Sequence, residues 1–432
     1  MKVAIHTLGC KVNTYESEYI IKSFMEKGFD IVPFSGLEKA DVYIINTCTV
    51  TNISDQKSRK MIRSCKNKNK DAIVVALGCF CQVNENFNEI KDYADIIIGN
   101  DKKSEVVNLV LKFLKDKKQI IKINDINNSK FDDMNLSTLK TRTRALIKIE
   151  DGCENFCSYC IIPYARGKVR SKDINDCVKE AKELVSMGYK EIVLTGIHTG
   201  HYGADKNYDF SDLLLKLNEI EGLEVIRISS IEITELNDKF LDTLKKVTKI
   251  ANHMHIPLQA GSDKVLKLMN RKYDKKYFYD KIEKIRKIRP DIAITTDVIV
   301  GFPNETISDF NETIEFVNKI NFAGGHVFPY SNRKGTKASL MDEQLTNDEK
   351  HERSKRLIEE FKKLEKNYYQ LFIGKVLNVI PENYKDGVLS GHSNNYLRVS
   401  FDGCENLIGN IVKVKITDYK ENRLIGKIDI HK

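Results

Sequence analysis

The sequence has no apolar run that approaches the roughly 20 residues a membrane-spanning helix needs, which excludes a bundle of such helices. No internal repeat links one stretch to another. It also lacks a leader of the secretory kind: MKVAIHTLGC carries one lysine and then a strand-like apolar stretch broken by His6 and Gly9. A cytoplasmic protein is expected, with no membrane partner. Nor is it short of apolar residues, since 41% hydrophobic against 30% charged excludes long disorder. The formal net charge of +9 leans toward a polyanionic partner without identifying one.

At 432 residues the chain exceeds the roughly 250–300 that one hydrophobic core organises, so two or three domains are expected. Apolar β-rich runs alternate with amphipathic helical stretches, the pattern of an α/β fold with crossover helices. Residues 1–112 read as a doubly wound parallel-sheet domain. Its strands are expected at Val3 to Thr7, Val42 to Asn46, Ile73 to Leu77 and Ala94 to Ile98, and its helices around Glu16 to Lys27 and Gln56 to Asn67. Residues 113–138 read as a linker, Asn124 to Thr141 being rich in Asn, Asp, Ser and Lys. Over 139–366, strands at Ala145 to Ile149, Glu191 to Thr195, Val225 to Ser229, His253 to Pro257, Ile292 to Val300 and Gly325 to Tyr330 predict a full or partial (β/α) barrel. Such barrels carry their chemistry on the loops after the strands' C-terminal ends. The charged stretch Asn347 to Lys366 reads as a solvated connecting helix with pairs such as Glu352 and Arg356. From 367 to 432, five short β runs between Gly, Asn and Asp turns predict a small antiparallel β-barrel, a form that often binds nucleic acid.

Ten cysteines are the feature present in excess. In a reducing compartment, clustered thiols mean metal or redox chemistry more often than disulfides. Directly after the first barrel strand, Cys153, Cys157 and Cys160 form a Cys-x3-Cys-x2-Cys loop. Three thiolates there hold three irons of a four-iron cluster and leave the fourth iron open to an exchangeable ligand, whereas electron-carrier ferredoxins close every site. The competing reading is a zinc knuckle missing a ligand. Cys10, Cys48 and Cys79 are far apart in sequence, yet each follows an expected strand of the N-terminal domain at its C-terminal end, where parallel sheets gather ligands. Three buried cysteines acting as small hydrophobes are the alternative. Cys65, Cys81, Cys177 and Cys404 show no such grouping, although Cys81 lies beside Cys79.

The cysteine loop together with CSYCIIPYARGKVRS, from Cys157 to Ser171, resembles the methylthiotransferases, radical S-adenosylmethionine enzymes that add a methylthio group to a tRNA base or a ribosomal protein. The domain order agrees, with the last barrel similar to that family's TRAM domain. Thr7 to Asn13 (TLGCKVN) and Asn46 to Thr51 (NTCTVT) are most similar to the branch acting on N6-threonylcarbamoyladenosine at tRNA position 37. The resemblance implies two 4Fe–4S clusters: a catalytic one on Cys153, Cys157 and Cys160, and an auxiliary one on Cys10, Cys48 and Cys79. It implies S-adenosylmethionine as cofactor, with Gly196, Gly200, Gln259 and Gly301 among its contacts. It further implies the tRNA anticodon loop as substrate and an electron donor such as flavodoxin or ferredoxin. A radical drawn from S-adenosylmethionine would take hydrogen from C2 of the adenine, a carbon no acid or base activates at neutral pH. Phosphate contacts are expected from Arg166, Arg170, Lys375 and Arg398, with Lys57, Arg59, Lys60, Arg63, Arg142, Arg144, Lys413 and Lys415 as further basic candidates. The alternatives are methylthiolation of another target, isopentenyladenosine or a ribosomal protein, or a non-catalytic iron–sulfur RNA-binding protein.

Overall fold

Val, Ile and Ala fill both faces of the first sheet, as strands covered by helices on either side require. In the computed structural model, which describes residues 1–36, 38–136 and 142–429, six parallel strands form this sheet. They are β1 (Lys2–Thr7), β2 (Asp30–Ile31), β3 (Val42–Thr47), β4 (Ile73–Gly78), β5 (Ile96–Ile98) and β6 (Ile120–Lys122), in the order β2-β1-β3-β4-β5-β6. The helices are α1 (Lys11–Glu26), α2 (Asn52–Lys68), the short α3 (Cys79–Gln82) and α4 (Val106–Asp116). Tyr43 and Ile45 of β3 pack with Ile62 and Cys65 of α2, while Val42 and Ile44 pack with Ile20 and Phe24 of α1 and Val110 of α4. The domain is therefore doubly wound, as the alternation of strand and helix predicts.

Its extent differs from the expectation. α4 and β6 carry the domain past residue 112; β2, an edge strand of two residues, is too short to leave a pattern, and β6, at the other edge, has three. Nor is the stretch that follows a free linker. Met134 and Leu136 are buried with Tyr15, Leu146 and Val193, and the Met134 carbonyl accepts from Tyr15 and Lys172. The expected end of the linker and start of the central domain, at 138 and 139, lie outside the described residues.

The central domain has six parallel strands in two sheets, a partial barrel. β7 (Ala145–Lys148), β10 (Glu191–Thr195) and β11 (Val225–Ile228) make one, and β12 (His253–His255), β13 (Ala293–Val300) and β14 (Gly324–Pro329) the other. A parallel bridge between Ile226 and Ile250 links them. Between β7 and β10, the two-residue strands β8 (Glu150–Asp151) and β9 (Arg170–Ser171) pair antiparallel and pinch the cysteine loop at its base. Ala145, Ile147, Ile192, Leu194, Ile226 and Ile228 join the core shared with the outer helices. The opposite face of β7 and β10 turns Leu146 and Val193 toward Tyr15 of α1, so the N-terminal domain covers the barrel's open side.

The helix Asn347–Gln370 is more than solvated. Leu357, Phe361 and Leu364 are buried in the barrel core, although the exposed Glu352–Arg356 pair forms as expected. At its end Tyr369 joins Phe372 in the core of the last domain. That domain is a closed barrel of β15 (Val376–Lys385), β16 (Val388–Ser393), β17 (Arg398–Asp402), β18 (Val412–Lys420) and β19 (Arg423–Ile428), in the order β15-β16-β17-β19-β18. Among the described residues no helix is long and apolar enough to cross a membrane.

The first and second domains also meet at the C-terminal rim of the barrel. Arg333, after β14, donates to Thr49 Oγ1 at 2.8 Å and Asn52 Oδ1 at 2.7 Å, and pairs with Asp55 at 2.8 Å. Arg333→Ala leaves Asp55 buried without its cation, at a cost of about 3 kcal/mol. Limited proteolysis should then cut faster within residues 49–55 and 331–333 than in the wild type; unchanged resistance would show that the seam is held elsewhere.

Candidate active site

Parallel pairing in register brings three distant cysteines to one edge. Thr7 of β1 lies opposite Asn46 of β3, and Thr47 of β3 opposite Gly78 of β4, so the chain leaves all three strands at nearly the same level. Cys10 caps α1, Cys48 follows β3 and Cys79 opens α3. Side chains stitch these exits together. Asn13 Nδ2 donates to the Leu8 carbonyl at 2.6 Å and the Thr47 carbonyl at 3.0 Å. Asn46 Nδ2 donates to the Asn13 carbonyl at 3.0 Å. Thr47 Oγ1 donates to the Leu77 carbonyl at 2.7 Å and accepts from the Phe80 amide. Gly9, at φ +101°, makes the approach possible: a Cβ there would stand 3.1 Å from Cys48 Sγ. Burial raises the Cys10 and Cys48 thiols, and the Cys79 sulfur beside them raises both further.

The second trio sits on a loop closed by β8 and β9. Gly152, at φ +100°, lets the loop pass the Lys168 carbonyl, which a Cβ would meet at 2.0 Å. The Cys153 amide donates to the Gly167 carbonyl, and Cys160 to the Cys157 carbonyl, both at 2.9 Å. Arg271 Nη1 donates to Cys157 Sγ at 3.2 Å, and Cys153 Sγ lies 3.8 Å from His198 Nδ1. Burial pushes Cys153 and Cys160 up to about 12, so without a bound cation both stay neutral thiols at pH 7. Among the described residues, His198, His201 and Glu235 bring three possible ligand atoms within 4.8 Å of one another.

The two trios stand side by side. α3 packs on α5 (Ile162–Arg166), the helix after Cys160, through Cys79, Val83, Ile161 and Ala165. Arg166 lies in this seam with no exposure. Its Nε donates to Cys79 Sγ at 3.3 Å, its Nη1 to Glu16 at 2.7 Å and Asp151 at 3.0 Å, and its Nη2 to Asn13 at 2.5 Å. Lys103 and Lys148 also pair with Glu16, at 2.5 and 3.0 Å, and Lys148 with Asp151 at 2.7 Å. Burial alone would raise Glu16, yet Arg166, Lys103 and Lys148 hold it well below the usual carboxylate range. Asp151, likewise opposed by burial, is held at about 2 by Arg166 and Lys148.

Arg166 therefore cannot meet phosphate, contrary to the sequence expectation. Arg170 is also buried, its Nη1 spent on the Ile126 and Lys168 carbonyls. Proximity to the cysteine loop meant structural burial in both cases. Lys375 and Arg398 are exposed on the last domain, as are Lys413 and Lys415 of β18. Lys57, Lys60 and Arg63 are exposed on α2, while Arg59 pairs with Glu89. Gly196 and Gly200 flank His198 on the loop after β10, leaving room for Glu150 and Glu235 respectively. Gln259 has φ +67° and bridges to Val298; Gly301, at φ +69°, stands against Lys350. Cys81 turns into the apolar core with Phe80 and Ile97, away from the site. Glu16, Asn13, Arg271 and the pair His198 and His201 on Glu235 were not singled out from sequence. Of these, Asn13 lay in a motif already marked, Glu16 opened an expected helix, and His198 stands between Gly196 and Gly200.

Residues 2–99 match the Uncharacterized protein family UPF0004, and residues 147–317 the Radical SAM superfamily. The threonylcarbamoyladenosine tRNA methylthiotransferase MtaB of Bacillus subtilis is 43% identical, over 99% of this chain and 97% of that protein. A tRNA-2-methylthio-N(6)-dimethylallyladenosine synthase of Thermoanaerobacter is 35% identical over 98% and 92%. The radical S-adenosylmethionine methyltransferase TsrM of Kitasatospora setae shares the fold, with a TM-score of 0.54 at 11% identity over 76% of this chain and 72% of that one. Both cysteine-bearing domains and nearly full-length identity agree: the chain belongs to the radical SAM tRNA methylthiotransferase family.

Proposed function

We propose that this protein methylthiolates C2 of N6-threonylcarbamoyladenosine at position 37 of tRNA, giving 2-methylthio-N6-threonylcarbamoyladenosine. The observation that carries the reading is the adjacency of two cysteine trios, one at a sheet's carboxyl edge and one on a barrel's rim loop, in a chain similar to MtaB over its whole length. Cys153, Cys157 and Cys160 would hold the 4Fe–4S cluster that takes S-adenosylmethionine, and Cys10, Cys48 and Cys79 a second. When bound, these groups supply hydrogen abstraction and the methylated sulfur.

The chain's own residues do the rest. Arg271 and Arg166 each set a cationic N–H on a ligand sulfur, which offsets thiolate charge. Val83, Ile161 and Ala165 fill the space between the cysteine loops with apolar side chains. Gly196, Gly200, Gln259 and Gly301, on loops after barrel strands or within the last turn of β13's exit, are the positions assigned to S-adenosylmethionine. An anticodon-loop base is unpaired and would reach the site without the cost of breaking a pair. Exposed Lys57, Lys60, Arg63, Lys375 and Arg398 would hold its phosphates, with a flavodoxin or ferredoxin as electron donor and the cytoplasm as the setting.

Reconstituted protein incubated with reductant, S-adenosylmethionine and tRNA should yield the methylthio nucleoside in digests analysed by mass spectrometry. Turnover only on dimethylallyladenosine or a ribosomal protein would refute the assigned substrate. Iron analysis tests the second cluster separately. About eight irons are expected per wild-type chain. Cys10→Ala should drop to about four while still cleaving S-adenosylmethionine; a full count would mean that Cys10 is not a ligand.

A further inference from the structure

Where the three domains meet lies a cavity of about 890 Å³, lined by Lys11 of α1, by Arg142, Arg144 and Arg227 of the central domain, and by Glu382 and Tyr396 of the small barrel. Three of its four cations are matched. Arg142 pairs with Glu18 at 2.7 Å, Arg144 with Glu382 at 3.2 Å and Arg227 with Glu191 at 2.5 Å. Lys11 has no hydrogen bond or ion pair among the described residues. It remains reachable from the cavity, and its surroundings are Tyr396, Arg144 and Arg227. Lys11 is therefore the cation of this lining left to pair with an incoming anion.

The cavity is also built. Tyr396 has φ +66°, a conformation a tyrosine holds only when its surroundings impose it. Its ring lies under Arg144 and Arg227, at 5.2 and 4.8 Å, and stacks on His392 at 4.6 Å.

We propose that this cavity receives the N6 substituent of the substrate base and that Lys11 pairs with its carboxylate. The inference rests on the substrate assigned above. A threonylcarbamoyl group ends in a carboxylate, whereas a dimethylallyl group is wholly apolar, so one unmatched cation separates them by charge. Lys11 follows Cys10 directly, and C6, which carries N6, is set off from C2 by ring atom N1. With C2 directed at the cysteines, the substituent leaves on another edge of the ring, toward the first turn of α1. The helix N-terminus there adds its own positive potential.

Anticodon stem–loop RNAs carrying threonylcarbamoyladenosine, its carboxylate methyl ester, or plain adenosine provide the test by equilibrium binding. The reconstituted wild type should bind the acid roughly tenfold tighter than the ester, as one charge-assisted contact allows. Lys11→Met should bind acid and ester alike, and Lys11→Arg should keep the preference, each at wild-type iron content so that the neighbouring Cys10 is known to be intact. Lys11→Met that still prefers the acid overturns the inference. So does an equal loss for all three RNAs, which would make Lys11 a phosphate contact. A wild type that binds acid and ester alike yet methylthiolates threonylcarbamoyladenosine overturns this inference alone. One that methylthiolates only dimethylallyladenosine overturns the assigned substrate.

Discussion

A single guanidinium, Arg166, joins the two halves of the site, and the seam around it is arranged to keep that charge buried. Four cations, Arg166, Lys103, Lys148 and, at 3.8 Å from Asp151, Arg170, face two carboxylates, Glu16 and Asp151. The excess positive charge points at Cys79 Sγ. Taking unmatched charge out of water costs several kcal/mol. On the proposed reading, a Cys79 thiolate ligated to iron would supply the missing negative charge, and cluster assembly and domain docking would stabilise one another. The partial barrel adds a steric reason for the same union. With six strands it leaves a side open, and α1 of the other domain fills it with Tyr15 and Glu16.

The same contact also gives different surroundings to two thiols that stand a residue apart. The single turn of α3 sends Cys79 toward Arg166 and Cys81 into the core, where burial holds its thiol at about 12 and Thr47 is its polar neighbour, at 3.9 Å. Position on the turn decides.

The three-domain plan and both cysteine groups were legible because each rests on local information: a period of apolar residues, or a cysteine at a strand's end. What escaped was non-local. Arg166 looked like a phosphate contact because nothing near it in sequence reveals Glu16, which arrives from another domain. Arg271 follows an unremarkable turn at Asn270, and its contact with Cys157 depends on how far β12 and the cysteine loop are carried round the barrel. The strands β2, β8 and β9 were missed because two residues cannot show a period, and β6 was missed although β5 and β12, no longer than it, were not. The segment before residue 137 reads as polar linker, yet a few of its side chains, Met134 and Leu136 chief among them, decide its course.

The helix Asn347–Gln370 connects barrel and small barrel without a break, its middle fixed in one core and its end in the other. It works as a ruler with a phase. One residue more or fewer would shift the small barrel by about 1.5 Å and turn it by roughly 100°. Exposed Lys413 and Lys415 would then face a different direction from the catalytic rim. An insertion of about one whole turn would keep the phase, whereas a change in an outer loop of the small barrel would leave the helix untouched.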